Sequence, residues 1–275
     1  MAIVIDNAKM QAAIDQAFTI TSRTPELSNT GGFSFANARS IVVVTINPVQ
    51  LEDYDLSANL AQRLAAIADA DTESETYTIS QRKSFAQKLE TVDKIDQLAV
   101  TVGRILEVQM KQEVVPAIDK YRIAAICAVA TANSQTVVIK PADGYDNLLD
   151  MTNYLTNANA IDVDKLYFVD TKAYKSLRQS GMLVPYTETE RRNMVKGTIG
   201  MLEDMTVRQL PDSYFPTGFH ACAVAVDAGL GPIKHQSTQV IDKIPGSFAS
   251  VVQGLLVHDY FARKARKLAF AAVKA

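Results

Sequence analysis

The chain has 275 residues, 48% of them apolar and 21% charged, with a formal net charge of −2. That length fills one large domain or two modest ones around a sizeable core, and the weak net charge excludes a free-standing binder of polyanions. Two cysteines exclude a disulfide framework, and three histidines without any tryptophan are a thin inventory for acid–base catalysis.

In chain order, residues 1–37 read as an arm. A short amphipathic helix is expected at Asn7–Phe18, with Met10, Ile14 and Phe18 at helical spacing, followed by a polar stretch holding Pro25 and the pair Gly31 and Gly32. This segment has no core of its own, so it reads as a disordered tail or as an arm that orders on a neighbour. The start of the chain lacks a basic region followed by an apolar run, and no window suits a bilayer span; the expectation is a product made and kept in the cytoplasm.

Ser40–Asn47 is β-branched and predicts a strand. Tyr77–Leu89 predicts a partly alternating strand able to pair with it. Between them, Leu51–Thr76 carries seven acids (Glu52, Asp53, Asp55, Asp69, Asp71, Glu73, Glu75) against the single base Arg63, and holds an expected helix at Leu56–Ala68. The return strand carries Arg82, Lys83 and Lys88. A two-stranded projection of this kind is not stable alone and needs a surface to lie on.

Asp93–Val115 predicts a long helix, with Ile95, Leu98, Val102, Ile105, Leu106 and Met110 on one stripe. At 1.5 Å per residue it is about 35 Å long. Pro116 is expected to kink it or to start a second helix, which runs on to Asn133. Thr136–Lys140 predicts a strand, Pro141–Gly144 a turn, and a helix follows with Leu148, Leu149, Met151 and Leu155. Lys165–Val169 predicts a strand, and Asp170–Thr171 caps a helix over Lys172–Gln179. A polar loop at Tyr186–Lys196 carries Glu188, Glu190, Arg191 and Arg192. Thr198–Leu210 holds one strand or two; further strands are expected at Phe219–Asp227 and Gln239–Ile244, and within Phe248–Phe270. After Asp259 the chain is basic, with Arg263, Lys264, Arg266 and Lys267. Strands and helices mix without a βαβ repeat, so the class is α+β.

The motifs of common enzymes are missing: GxxxxGK[ST], GxGxxG after a strand, and GxSxG. His220 and Cys222 share one strand face, but zinc needs three or four ligands and nothing completes the set. No catalytic residue, metal site or cofactor is therefore assigned.

The order of arm, charged excursion, strut helix, α+β middle and returning strands resembles the tailed-phage major capsid family with the Hong Kong 97-type fold. The stretch Gln112-Glu-Val-Val-Pro-Ala-Ile-Asp-Lys-Tyr-Arg122 is similar to the "V-x-P-E-I-D-x-Y-R" run at the end of the family's spine helix, with Ala117 in place of the usual acid. Ser40–Asp55 resembles the strand entering the extended loop. Lys165–Lys175 resembles the strand–helix step of the axial domain. Gly231–His235 and Val257–Phe261 resemble the closing strands. The resemblance implies an N-terminal arm at 1–37, an extended β-hairpin loop with its flanking strands at 38–92, a peripheral domain with the spine helix at 93–135, an axial domain at 136–245, and a return to the peripheral domain at 246–275. It also implies a major capsid protein that self-assembles as hexamers and pentamers into an icosahedral virion shell around double-stranded DNA held non-specifically. A separate scaffolding protein, a portal and decoration proteins would be its partners, with assembly in the host cytoplasm and no membrane. Candidate intersubunit residues are Asp69, Asp71, Glu73 and Glu75 of the acidic excursion, Arg82, Lys83 and Lys88 of the return strand, Glu188, Glu190, Arg191 and Arg192 of the polar loop, and Arg263, Lys264, Arg266 and Lys267 of the basic end. An encapsulin-like bacterial compartment shell is the alternative reading, and a soluble α+β enzyme with an unrecognised site is the third.

Overall fold

A computed structural model of the chain describes residues 22–28, 35–37, 40–46, 72–90, 102–138, 144–180, 197–202, 205–242 and 249–274. The chain divides into two compact units, residues 32–79 and the remainder.

In the smaller unit, β1 (Phe35–Asn37), β2 (Ser40–Ile46) and β3 (Thr72–Thr78) form an antiparallel sheet in that order. β2 is a run of β-branched residues, which suit a pleated, half-buried surface. Ile41 pairs with Tyr77 and Val43 with Glu75, so these four share one face. Ile41 and Val43 are buried on it, while Val44 on the opposite face is 58% exposed.

The strand expected at Tyr77–Leu89 is in fact two. The ladder breaks at Ile79 and Ser80, and only the part up to Thr78 pairs with Ser40–Ile46. β4 (Gln81–Glu90) belongs to the larger unit and pairs instead with β12 (Ala249–His258), whose other edge carries β11 (Ile233–Asp242). The reason is long-range. Val252, Gly254 and Leu256 of β12 offer an apolar face, and Gly254 leaves room for the Phe85 ring, which a Cβ there would meet at 2.3 Å. No local pattern announces such a partner 170 residues away.

Against this three-stranded sheet lies the helix. α1 (Val102–Gln109) passes through one wide turn, Met110–Val114, into α2 (Val115–Ala132). Leu106, Met110, Val114, Val115 and Ile118 pack on Val252 and Leu256, with Phe85 and Ile233 alongside. The wide turn is the answer to Pro116. Proline has no N–H, and its ring crowds the carbonyl four residues back. Here the Val115 N–H reaches the Met110 carbonyl, five residues back, which opens the turn so that the helix continues without a break. The proline neither starts a separate helix nor ends the first. The expected helical residues 93–101 lie outside the described residues, as does the expected helix at Leu56–Ala68.

The second sheet has the order β5-β14-β9-β6-β8-β7, with β5 Thr136–Val138, β6 Lys165–Val169, β7 Thr198–Leu202, β8 Met205–Gln209, β9 Phe219–Ala225 and β14 Phe270–Lys274. β5 runs parallel to β14 and β6 parallel to β8; the other pairs are antiparallel. Thr198–Leu210 thus holds two strands, and β11 starts six residues before the strand expected at Gln239. A short pair, β10 (Gly229–Leu230) with β13 (Phe261–Ala262), completes the ladders. α2 and α3 (Gly144–Asn157) pack on β9 and β14, and α4 (Thr171–Gln179) packs on β6 and β9. Phe168, Phe270, Ile126, Leu148, Met151 and Leu155 fill the interior. Asp170 caps α4 by accepting from the Ala173 N–H at 2.7 Å, as its sequence predicts.

Candidate functional site

The densest polar chemistry is buried and lies where α2 meets residues 22–28. Asp119 and Arg122 sit one turn apart on the same helix face as Ile118, Ile123 and Ile126, and both are under 2% exposed. The Asp119 carboxylate accepts from Ser22 Oγ at 2.7 Å, Arg23 N–H at 2.8 Å and Thr24 Oγ1 at 2.6 Å. Arg122 donates to the Thr24 carbonyl at 2.7 Å, Ser28 Oγ at 2.9 Å and the Gly231 carbonyl at 3.1 Å. Burial pulls the Arg122 guanidinium down to about 10, against the pull of Asp119, so it stays charged at neutral pH. On the sheet side Arg208, 3% exposed, donates to the Arg23 carbonyl at 2.9 Å and to both carboxylate oxygens of Glu26. Leu27 is wholly buried between these anchors. Residues 22–28 therefore do not behave as the coreless arm the sequence suggests. They are laced into their own chain by charge-assisted hydrogen bonds, which local hydropathy does not register. The readable signal was two opposite charges placed on an apolar helix stripe.

A second node joins the start of β4 to the end of β12. Asp259 accepts from the Ser80 N–H at 2.7 Å, Ser80 Oγ at 2.9 Å, Tyr121 Oη at 2.7 Å and the Tyr260 N–H at 2.8 Å. Beside it His258 is 2% exposed, with the Tyr121 ring edge-on at 5.3 Å. Burial first, then the neighbouring Arg122 and Lys83 charges, push His258 down to about 4, with Asp259 opposing. His258 is neutral at pH 7. Tyr121 is pushed up to about 12 by burial and by its bond to Asp259.

His220, weighed above as a metal ligand with Cys222, is committed elsewhere. Its Nδ1 lies 2.5 Å from Asp170 Oδ2. Cys222 is fully buried and faces Cys127. Among the described residues no group of three His, Cys, Asp or Glu converges as a metal site would require. A surface depression of about 350 Å³ on the three-stranded sheet is lined by Ser84, Phe85, Ala86, Gln239 and Gln253, none of them titratable. No helix among the described residues is long and apolar enough to cross a membrane.

The structure scatters the charged candidates. Glu73 is exposed on β3, but Glu75 is 6% exposed and accepts a hydrogen bond from Tyr77 Oη. Arg82, Lys83 and Lys88 are exposed along β4. Arg266 pairs with Asp227 at 3.3 Å and donates to the Asn159 carbonyl, and Arg263 donates to the Asp227 carbonyl at 3.3 Å. Lys264 and Lys267 are exposed. Asp69, Asp71, Glu188, Glu190, Arg191 and Arg192 lie outside the described residues. Glu75 and Arg266 are thus already engaged within the chain.

No family model matches the chain, and no curated protein matches it. Solved structures do. A chain of Mycobacterium phage Che8 matches with a TM-score of 0.60 at 16% identity, over 90% of this chain and 89% of that one. A chain from the asymmetric unit of the mature capsid of bacteriophage PhiM1 matches with a TM-score of 0.55 at 12% identity, over 86% and 82%. A chain of a virus-like particle from Pyrococcus furiosus matches with a TM-score of 0.57 at 10% identity, over 98% and 100%. The chain has the α+β fold of these phage capsid and particle structures, the Hong Kong 97-type fold that the resemblance implied.

Proposed function

We propose that this chain is the major capsid protein of a tailed double-stranded DNA bacteriophage, which assembles as pentamers and hexamers into an icosahedral shell. The observation that carries the reading is the match over nearly the whole length of both chains to a chain of a mature phage capsid. A fold shared end to end, without large insertions, leaves little room for a second domain with another task. The same fold appears in the Pyrococcus virus-like particle, which keeps a compartment shell as the second reading.

On this reading the function is mechanical. Each subunit contact is small, and closed symmetry multiplies it. Charge sets register between neighbours more than affinity. The exposed bases of β4 (Arg82, Lys83 and Lys88) suit an acidic partner surface such as Glu73, Asp69 and Asp71 of an adjacent subunit. Glu75 is the least suited of the proposed acids, because reaching a neighbour would require giving up its buried bond to Tyr77. Scaffolding, portal and decoration proteins and packaged DNA are the partners of such a shell, and its place is the virion, assembled in the host cytoplasm. The buried polar groups described above serve structure, and the surface depression lacks a group that could transfer a proton, which favours a protein without catalysis.

Electron microscopy and sedimentation of the purified chain test the proposal. Polyhedral shells, tubes, or rings of five or six subunits support it. A chain that stays monomeric at high concentration, both alone and with the scaffolding protein co-expressed, overturns it. Nucleic acid inside purified native particles separates the phage reading from an enzyme-filled compartment.

A further inference from the structure

The chain has two cysteines. They lie about a hundred positions apart in sequence, on different elements, yet they meet. Cys127 is on α2 and Cys222 on β9, which pack against each other. Both side chains are wholly buried in the same core, and the Cys222 thiol is hydrogen-bonded to that of Cys127. Around them are Ile126, Ala130, Phe168 and Ala272, with Phe168 and Ala272 directly across the ladder from Cys222.

The geometry points to Cys127 and Cys222 as a dithiol that converts to an intrachain disulfide, cross-linking the spine helix to the six-stranded sheet. The reaction needs an external two-electron acceptor, a disulfide such as oxidised glutathione or a diazene such as diamide. One cysteine thiolate attacks a sulfur of the acceptor disulfide and expels one acceptor thiol. The second cysteine thiolate then displaces the other, forming the Cys127–Cys222 bond. Two thiol protons and two electrons leave the protein, and two acceptor thiols form. Burial raises the Cys222 thiol well above its ordinary value, so the reactive thiolate is scarce in the closed core. Conversion is accordingly slow and proceeds through transient opening. The timing rests on the proposed function: a subunit made in a reducing cytoplasm keeps both thiols, and a particle released into an oxidising medium acquires the bond. The bond closes a loop of about a hundred residues, which restricts the unfolded chain and leaves the surfaces of the subunit untouched.

The test uses the full-length chain, folded, without denaturant. It is incubated with diamide, then unfolded in an alkylating agent and mapped by mass spectrometry. The expected result is a peptide pair joining Cys127 to Cys222, a loss of two hydrogens in the intact mass, reversal by dithiothreitol, and a higher melting temperature for the oxidised form. Two alkylated thiols after prolonged oxidation, or disulfides that form between chains, overturn the proposal. So does an intrachain bond that lowers the melting temperature, since the native core then fails to accommodate it. Cys127→Ser supplies the control for intrachain bonding, and the wild-type readouts stand if that variant does not fold. The outcome is independent of whether the chain forms shells.

Discussion

Replacing Asp119 by Ala removes the centre of the network that holds residues 22–28. Asp119 takes three hydrogen bonds from that segment, at 2.6 to 2.8 Å. Bonds to a charged acceptor contribute about 1.5–3 kcal/mol each, but their sum overstates the loss. The three donors can reach water once the segment lifts. What does not relax is Arg122, wholly buried on the same face and held charged with the help of Asp119. Removing one member of a buried charged set costs about 3–5 kcal/mol, and that is the expected loss for Asp119→Ala. Asp119→Asn keeps the shape and one carbonyl acceptor, and about 1–3 kcal/mol is expected for it. Denaturant unfolding gives the stability difference, and trypsin gives the location, because Arg23 lies inside the segment. In the wild type the bond after Arg23 should resist cleavage under native conditions; in the variant it should be cut before the rest of the chain. A loss below about 1 kcal/mol with Arg23 still protected would refute the reasoning.

The same segment gives a second route. Gly231→Ala places a Cβ 2.1 Å from the Leu27 carbonyl oxygen and 3.1 Å from Arg122 Nη2, so the backbone of residues 22–28 must shift, and trypsin sensitivity at Arg23 should rise without loss of any charge. His258 titrates at about 4 in the fold against an ordinary 6.5, so the neutral ring stabilises the fold fully above pH 6.5, and that contribution is lost as pH falls from 6.5 to 4. The difference amounts to about 3 kcal/mol; a stability–pH curve of His258→Gln should be flatter than wild type by that amount over that window, and identical curves would contradict it. Phe168→Ala, at a site with no exposure, should cost about 3–5 kcal/mol in chemical denaturation. Arg82→Glu combined with Lys83→Glu should leave the circular dichroism spectrum of the isolated chain unchanged while reducing assembly measured by sedimentation; normal particles from the double variant would sink the charge-matching account.

Where local chemistry decides structure, the sequence was readable. Lys165–Val169 is apolar and β-rich, Asp170 is an N-cap, and the helix at 144–157 carries its leucines and Met151 at helical spacing; each forms as expected. What stayed hidden depends on partners far along the chain. Tyr77–Leu89 divides at Ser80 because Asp259, far away in sequence, takes both the N–H and the hydroxyl of that serine. Pro116 announces a disturbance, but whether the helix kinks, restarts or widens by one residue is settled by the packing of Met110, Val114 and Ile118 on β12. The charged surface candidates were legible as charge alone. Which charges are already engaged, as Glu75 and Arg266 are, depends on Tyr77 and Asp227 and needs coordinates.

The buried polar groups deserve comparison with what an apolar core would achieve in their place. An interior of leucines in place of Asp119, Arg122 and Arg208 would cost less desolvation, and such replacements are often neutral or stabilising. Stability alone therefore does not account for three buried charges. Apolar contacts, however, are non-directional and fix position only through shape, whereas hydrogen bonds weaken steeply away from linear geometry. The network ties residues 22–28, α2, β8 and the Gly231 turn at fixed angles, and Asp259 does the same for Ser80 and β12. For a subunit that must close a shell, an error in angle between segments repeats at every copy, while an error in stability does not. A polar interior that holds segment directions at some expense in stability suits the proposed shell function better than it would suit a protein acting alone.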